Sequence, residues 1–245
     1  MNKKILFTLF LILKMNLFSN IYEKLKKDYI ENKAPKISDE KIHKFKFEDV
    51  NEKLVDLTDK KYRNEKIFFP YSSHPYKFKV REGLQKALFK MVEFLPKDIA
   101  VFVYNGYRPL KVQKEMFNKS FLREKQKNPS LTDKELYKKV SKYLSPVGGV
   151  IAPHCTGGAI DMVLINIKTK KLLPMGNVFE ANKKSHTFYK YLSKEQKKNR
   201  KILLKAALRA DLVNYPYEFW HFSYGDNYWA YYMNRKPLYN IIIGK

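Results

Sequence analysis

A single cysteine, Cys155, stands in 245 residues, so no internal disulfide can staple this chain. Acidic residues are scarce: 24 Asp and Glu face 49 Lys and Arg, for a formal net charge of +25. Apolar runs are short, and the one at the N-terminus, Ile5 to Leu13, cannot span a bilayer. No internal repeat, low-complexity linker, zinc knuckle, helix-turn-helix or RNP signature is present. What remains is a chain that must hold itself together by packing. Its 44% hydrophobic and 15% aromatic content suits one well-cored domain, and its length is too small for two. The positive charge is mostly lysine and runs from end to end. That pattern describes a solvated surface with a secondary attraction to anionic cell-envelope polymers, with no specific nucleic-acid partner.

Lys3 and Lys4 precede the Ile5 to Leu13 run, which has the length of a signal-peptide core. A signal peptide over residues 1–20 is therefore expected, with export to the periplasm or cell envelope. An uncleaved amphipathic anchor and a cytoplasmic protein are the alternatives, because Lys14 interrupts the run and no good small-residue cleavage site follows.

From Ile21 to Asn32 a polar helix is expected. Phe45, Phe47 and Val50, then Leu54, Val55 and Leu57, suggest edge strands. Leu84, Leu88, Met91, Val92 and Leu95 mark an amphipathic helix stopped by Pro96. A strand follows at Ile99 to Val103, then a helix from Leu110 to about Leu122. Thr132 with Glu135, and Ser193 with Gln196, are capping boxes for two more helices, the first ending near Leu144. Met162–Ile167 and Lys171–Leu173 read as a hairpin. The sum is an α+β fold over residues 21–245, a mixed or antiparallel central sheet flanked by helices.

Two stretches carry chemistry. In Pro153-His154-Cys155-Thr156-Gly157-Gly158-Ala159-Ile160-Asp161, a histidine and an aspartate flank a glycine pair and an apolar alternation follows. This reads as a tight loop feeding a buried strand, and glycine allows the backbone to fold closely enough for both side chains to converge. In Tyr217-Glu218-Phe219-Trp220-His221-Phe222, a carboxylate lies three before a histidine among aromatics. His154, Asp161 and His221 would make a catalytic zinc set with an open fourth position, and Glu218 would be left over as a base. Each stretch alone is a weak signal.

Together with Gly106-Tyr107-Arg108-Pro109, Leu173-Pro174-Met175-Gly176, Ser185-His186 and His221-Phe222-Ser223-Tyr224-Gly225-Asp226, in that order, they are specific. Here the chain resembles the zinc D-alanyl-D-alanine dipeptidases of the VanX type, within a superfamily that also holds D,D-carboxypeptidases. The likeness runs from about Val101 to Ala230. It implies one Zn²⁺ per chain on His154, Asp161 and His221, Glu218 as the catalytic base, and Arg108 against the reacting carbonyl. It further implies a small D-amino-acid dipeptide as substrate, with cell-wall peptidoglycan metabolism as the setting.

Two positions depart from the family pattern. Ala152 stands where a serine is usual, and Glu180 replaces the aspartate that holds the substrate's ammonium. Glu180 keeps the charge but reaches further. A D,D-carboxypeptidase or endopeptidase acting on stem peptides is the enzymatic alternative, and a non-catalytic zinc-stabilised binding domain the other. Tyr107 either packs under Arg108 or gives the substrate a hydroxyl. Cys155 reads as small packing and not as a reactive thiol. His186 reads either as a hydrogen-bond partner of a ligand or as structural, and His74 as surface. The sequence sets no oligomeric state.

Overall fold

The computed structural model describes residues 18–243 apart from 49, 147, 149, 179 and 180. The expected signal peptide therefore lies almost wholly outside the described residues, and Glu180 lies outside them too. Residues 18–30 are helical (α1). There follow β1 (Leu54–Asp56), β2 (Ile67–Phe68), β3 (Lys79–Arg81), α2 (Glu82–Glu93), β4 (Ile99–Asn105), α3 (Leu110–Lys127) and α4 (Asp133–Val140). The second half adds α5 (Pro153–Thr156), β5 (Ala159–Asn166), α6 (Lys194–Arg209), β6 (Val213–Asn214), β7 (His221–Ser223) and α7 (Asn227–Met233). Among the described residues no helix is long and apolar enough to cross a membrane.

Local chemistry accounts for most boundaries. Both capping boxes form: Thr132 accepts from the Glu135 amide and Ser193 from the Gln196 amide, while each partner side chain reaches back. On α2, Leu84, Leu88, Met91 and Val92 are buried, at the spacing that puts them on one helix face. α3 runs five residues past Leu122, to Lys127, and α4 stops at Val140 rather than near Leu144. The described residues of Phe45–Val50 form no strand. Instead Glu48 and Val50 donate their amides to Pro237 and Leu238. The hairpin after β5 narrows to one bridge, Ile165 to Leu172.

The main sheet has five strands in the order β2-β4-β5-β7-β6. Only β2 and β4 are parallel, so the sheet is mixed, and β1 and β3 form a separate antiparallel pair. β5 is its centre, buried from Ala159 to Ile165. α6 packs against β5 and against α2, and its Leu203, Ala206 and Ala207 enter the core.

Register positions the site. Asp161 lies directly opposite His221 across the β5–β7 ladder. On the other side, β4 pairs Val103 with Met162 and then shifts, so that Asn105 and not Tyr104 faces Asp161. Paired residues share a sheet face, and one extra residue in a strand exchanges faces. The bulge therefore sets Asn105, Asp161 and His221 in one row across three strands.

Candidate metal centre and catalytic cleft

Two turns complete the row. The tight loop expected there is the single helical turn α5, Pro153–Thr156, and Gly157 ends it with φ +73°. A side chain at Gly157 would be strained by that φ and would also meet Leu54 at 2.6 Å. The coil carries His154 back over the start of β5. The second turn follows β4, where the Arg108 amide donates to the His154 carbonyl at 3.0 Å and ties the two turns together.

The Asp161 carboxylate sits between two imidazoles. Its Oδ2 is 3.2 Å from His154 Nε2 and its Oδ1 is 3.1 Å from His221 Nδ1. The rings stand nearly perpendicular, at 81°, with centroids 4.8 Å apart. Potential ligand atoms of all three residues lie within 4.8 Å of one another, and all three residues are buried.

The hydrogen bonds fix which atoms face inward. His154 Nδ1 is 2.7 Å from the Gly106 carbonyl, which can only accept, so Nδ1 carries the proton and Nε2 presents its lone pair. Burial lowers the His154 pKa, although Asp161 opposes it, and so favours the neutral imidazole a metal needs. Burial pushes Asp161 upward, but the two histidines outweigh it and hold the carboxyl well below the usual range. For His221, burial lowers the pKa and the Asp161 hydrogen bond and charge reverse it to a net rise. Two imidazole nitrogens and a carboxylate oxygen, desolvated and converging, are a fitting donor set for a zinc-type ion.

A cleft of about 170 Å³ opens onto these residues, and Arg108 and Glu218 line it as well. Burial raises the Glu218 pKa to about 7, with His221 and Arg108 partly opposing and a hydrogen bond from the Trp220 side chain lowering it.

A sequence profile described as "D-ala-D-ala dipeptidase" matches residues 82–240. The chain belongs to the D-Ala-D-Ala dipeptidase family. It is similar to a D-alanyl-D-alanine dipeptidase of Synechocystis sp., 26% identical over 157 residues, covering 56% of this chain and 64% of that protein. A D-alanyl-D-alanine dipeptidase of Enterococcus faecium is 27% identical over 130 residues, covering 51% of this chain and 62% of that protein. The chain thus spans somewhat less than two thirds of the length of the curated relatives it matches. A solved LD-carboxypeptidase aligns with a TM-score of 0.37 and 18% identity over 75% of this chain and 71% of that one, too slight a likeness to carry weight.

Within this member of the D-Ala-D-Ala dipeptidase family, the fold brings together His154, Asp161, His221, Glu218 and Arg108. Tyr107 is not among the residues lining the cleft. Its ring is half-buried, close enough to Cys155 and Arg81 to feel their charges. Cys155 is fully buried, and burial raises its thiol to about 11, which leaves it a packing residue. His74 is exposed and stacks on Tyr76. His186 stays off the cleft: Tyr29 and Tyr143 approach its ring nitrogens at 2.8 and 3.5 Å, so it links α1 to the cleft wall.

Sequence reasoning missed two supporting residues. Gln113 is 1% exposed; its Oε1 accepts from Arg108 at 2.8 Å and its Nε2 donates to the Ser145 carbonyl at 2.6 Å. Asn105 donates from Nδ2 to Asp161 Oδ2 at 2.9 Å.

Proposed function

We propose that this chain is a zinc-dependent dipeptidase that hydrolyses D-alanyl-D-alanine in peptidoglycan metabolism. The observation that carries the reading is the convergence of a buried, near-neutral carboxyl (Glu218) and a guanidinium (Arg108) on the His154–Asp161–His221 donor set in one small cleft. A site that only stabilises a fold needs neither. The two relatives, both D-alanyl-D-alanine dipeptidases, support the substrate class.

His154 Nε2, Asp161 and His221 Nδ1 would hold the zinc. The chemistry such an ion supplies is Lewis-acid activation of a carbonyl and of water. Glu218 takes a proton from the attacking water and returns it to the leaving amine as the C–N bond breaks, giving two molecules of D-alanine. A base with a pKa near the working pH serves both transfers. Arg108, locked by Gln113, donates to the carbonyl oxygen as it gains charge, a contribution of about 3 kcal/mol for one such donor. Asn105 keeps the Asp161 carboxylate turned toward the two imidazoles. The Glu180 carboxylate, outside the described residues, would pair with the substrate's free ammonium. The lysine-rich surface suits export into an envelope of anionic polymers.

The test offers purified protein D-Ala-D-Ala, L-Ala-L-Ala and a stem pentapeptide ending in D-Ala-D-Ala, with and without chelator. Release of D-alanine from the free D,D-dipeptide alone, abolished by chelator and restored by zinc, is the expected result. Equal turnover of the pentapeptide would replace this reading with a carboxypeptidase.

A further inference from the structure

The family match begins at residue 82, yet one wall of the cleft comes from far upstream, at Ile37. The segment that delivers it follows α1 and is well anchored. Ile21 and Leu25 on α1, and Ala34, Ile37 and Ile42 beyond it, are buried. The Tyr217 hydroxyl donates to the Ala34 carbonyl at 3.0 Å.

Ile37 itself is held through its main chain. Its carbonyl lies 2.6 Å from His43 Nε2. A carbonyl only accepts, so Nε2 carries the proton and Nδ1 is the acceptor. That Nδ1 receives the Asn227 side-chain amide at 3.2 Å and the Ile151 amide at 3.4 Å. Tyr217, which holds the Ala34 carbonyl, directly precedes Glu218, and Ile151 precedes His154 by three. The strap is thus fastened to the turn bearing the base and to the turn bearing the first metal ligand.

Side-chain chemistry makes Ile37 a wall and not a flap. A β-branched residue has few χ1 states, and moving this one outward would break its carbonyl bond to His43. Met116, also lining the cleft, is unbranched and 38% exposed, so it can yield to a ligand. The cleft, at about 170 Å³, is smaller than the roughly 300 Å³ where pockets for drug-sized ligands begin.

We propose that Ile37 is a specificity-determining residue that limits the cleft to peptides with small side chains, an inference that rests on the peptidase reading above. Deleting part of this side chain should open room for a larger substrate residue while leaving the metal ligands, Glu218 and Arg108 untouched.

The experiment compares kcat/KM for D-Ala-D-Ala, D-Ala-D-Leu and D-Leu-D-Ala in the zinc-loaded wild type, Ile37→Val and Ile37→Ala. Zinc content and melting temperature confirm that each variant is folded. In Ile37→Ala, the ratio of at least one leucine dipeptide to D-Ala-D-Ala should rise about tenfold or more, the scale on which hydrophobic pockets discriminate methylene groups. Ile37→Val should move the same ratio in the same direction by less, and it keeps the proposal testable if the alanine variant does not fold. Ratios within about twofold of wild type for both leucine peptides would overturn the proposal, since a purely structural role lowers all three substrates together. If the wild type cleaves only longer peptides, the dipeptidase reading falls. The same alanine-to-leucine comparison on the cleaved peptide then decides Ile37 separately.

Discussion

Replacing Glu218 by glutamine should make the metal-free protein more stable at neutral pH while stopping catalysis. The carboxyl is 9% exposed, and burial lifts its pKa from 4.5 to about 7. Below pH 4.5 the group is protonated in folded and unfolded chains alike, and it contributes nothing. Between pH 4.5 and 7 the unfolded chain ionises and the folded one does not, so the folded state binds more protons and stability falls as pH rises. Above pH 7 the loss is complete, at about 3 kcal/mol for a shift of this size. Glutamine has no charge to desolvate and keeps an oxygen for the Trp220 side chain. The chelator-treated variant should therefore melt roughly 6–12 °C above wild type at pH 8 and close to it at pH 4. Added zinc, a cation beside the carboxylate, should narrow the pH 8 gap. Activity in the same variant should fall by about a hundredfold or more. Equal melting profiles from pH 4 to 8, or a less stable variant at pH 8, would refute the claim that this carboxyl is held in the cleft against its own desolvation cost.

Replacing His154 and His221 together by alanine should abolish metal retention after dialysis, and stoichiometric zinc in that variant, measured by metal analysis, would remove the donor set. Arg108→Ala should lower kcat more than it raises KM, with Arg108→Lys a poor rescue because a point charge lacks the planar fork; an effect confined to KM would reassign Arg108 to binding the ground-state substrate. Arg200 donates to the carbonyls of Met175, His186 and Lys184 at 2.7, 2.6 and 3.0 Å from a 3% exposed position. Arg200→Ala should therefore cost about 4 kcal/mol in urea unfolding, as those acceptors lose their partner; a loss under about 1 kcal/mol would show that water replaces it.

The parts of the fold that could be read from sequence are those decided within a few residues. Both capping boxes work this way, as does the α2 stripe ended near Pro96, because every partner lies within a turn or two along the chain. The Phe45–Val50 stretch misled because its alternation was satisfied by backbone bonds to residues 237 and 238, a pairing set by where the C-terminal segment passes. Tyr107 shows a similar limit. Its neighbour Arg108 lines the cleft and it does not, a choice of side that the residue order leaves open.

The candidate site was legible to the depth of its ligand-type residues and no further, and the sheet explains why. Histidine and carboxylate types at His154, Asp161, Glu218 and His221 belong to the few that ligate metals or move protons, and the order of the motifs singles them out. Their neighbours announce nothing, since asparagine, glutamine and isoleucine serve everywhere. Asn105 faces Asp161 only because β4 carries one extra residue at Tyr104; with an uninterrupted register Tyr104 would stand there and the carboxylate would lose its amide partner. Gln113 is committed to Arg108 by how α3 leaves Pro109, and Ile37 by its bond to His43, a ring held in turn by Asn227, 184 positions further on. The ligand-type residues are thus encoded locally, whereas their orientation and the size of the cleft are encoded by tertiary register. Substitutions in the second group should alter selectivity and turnover while zinc stays bound.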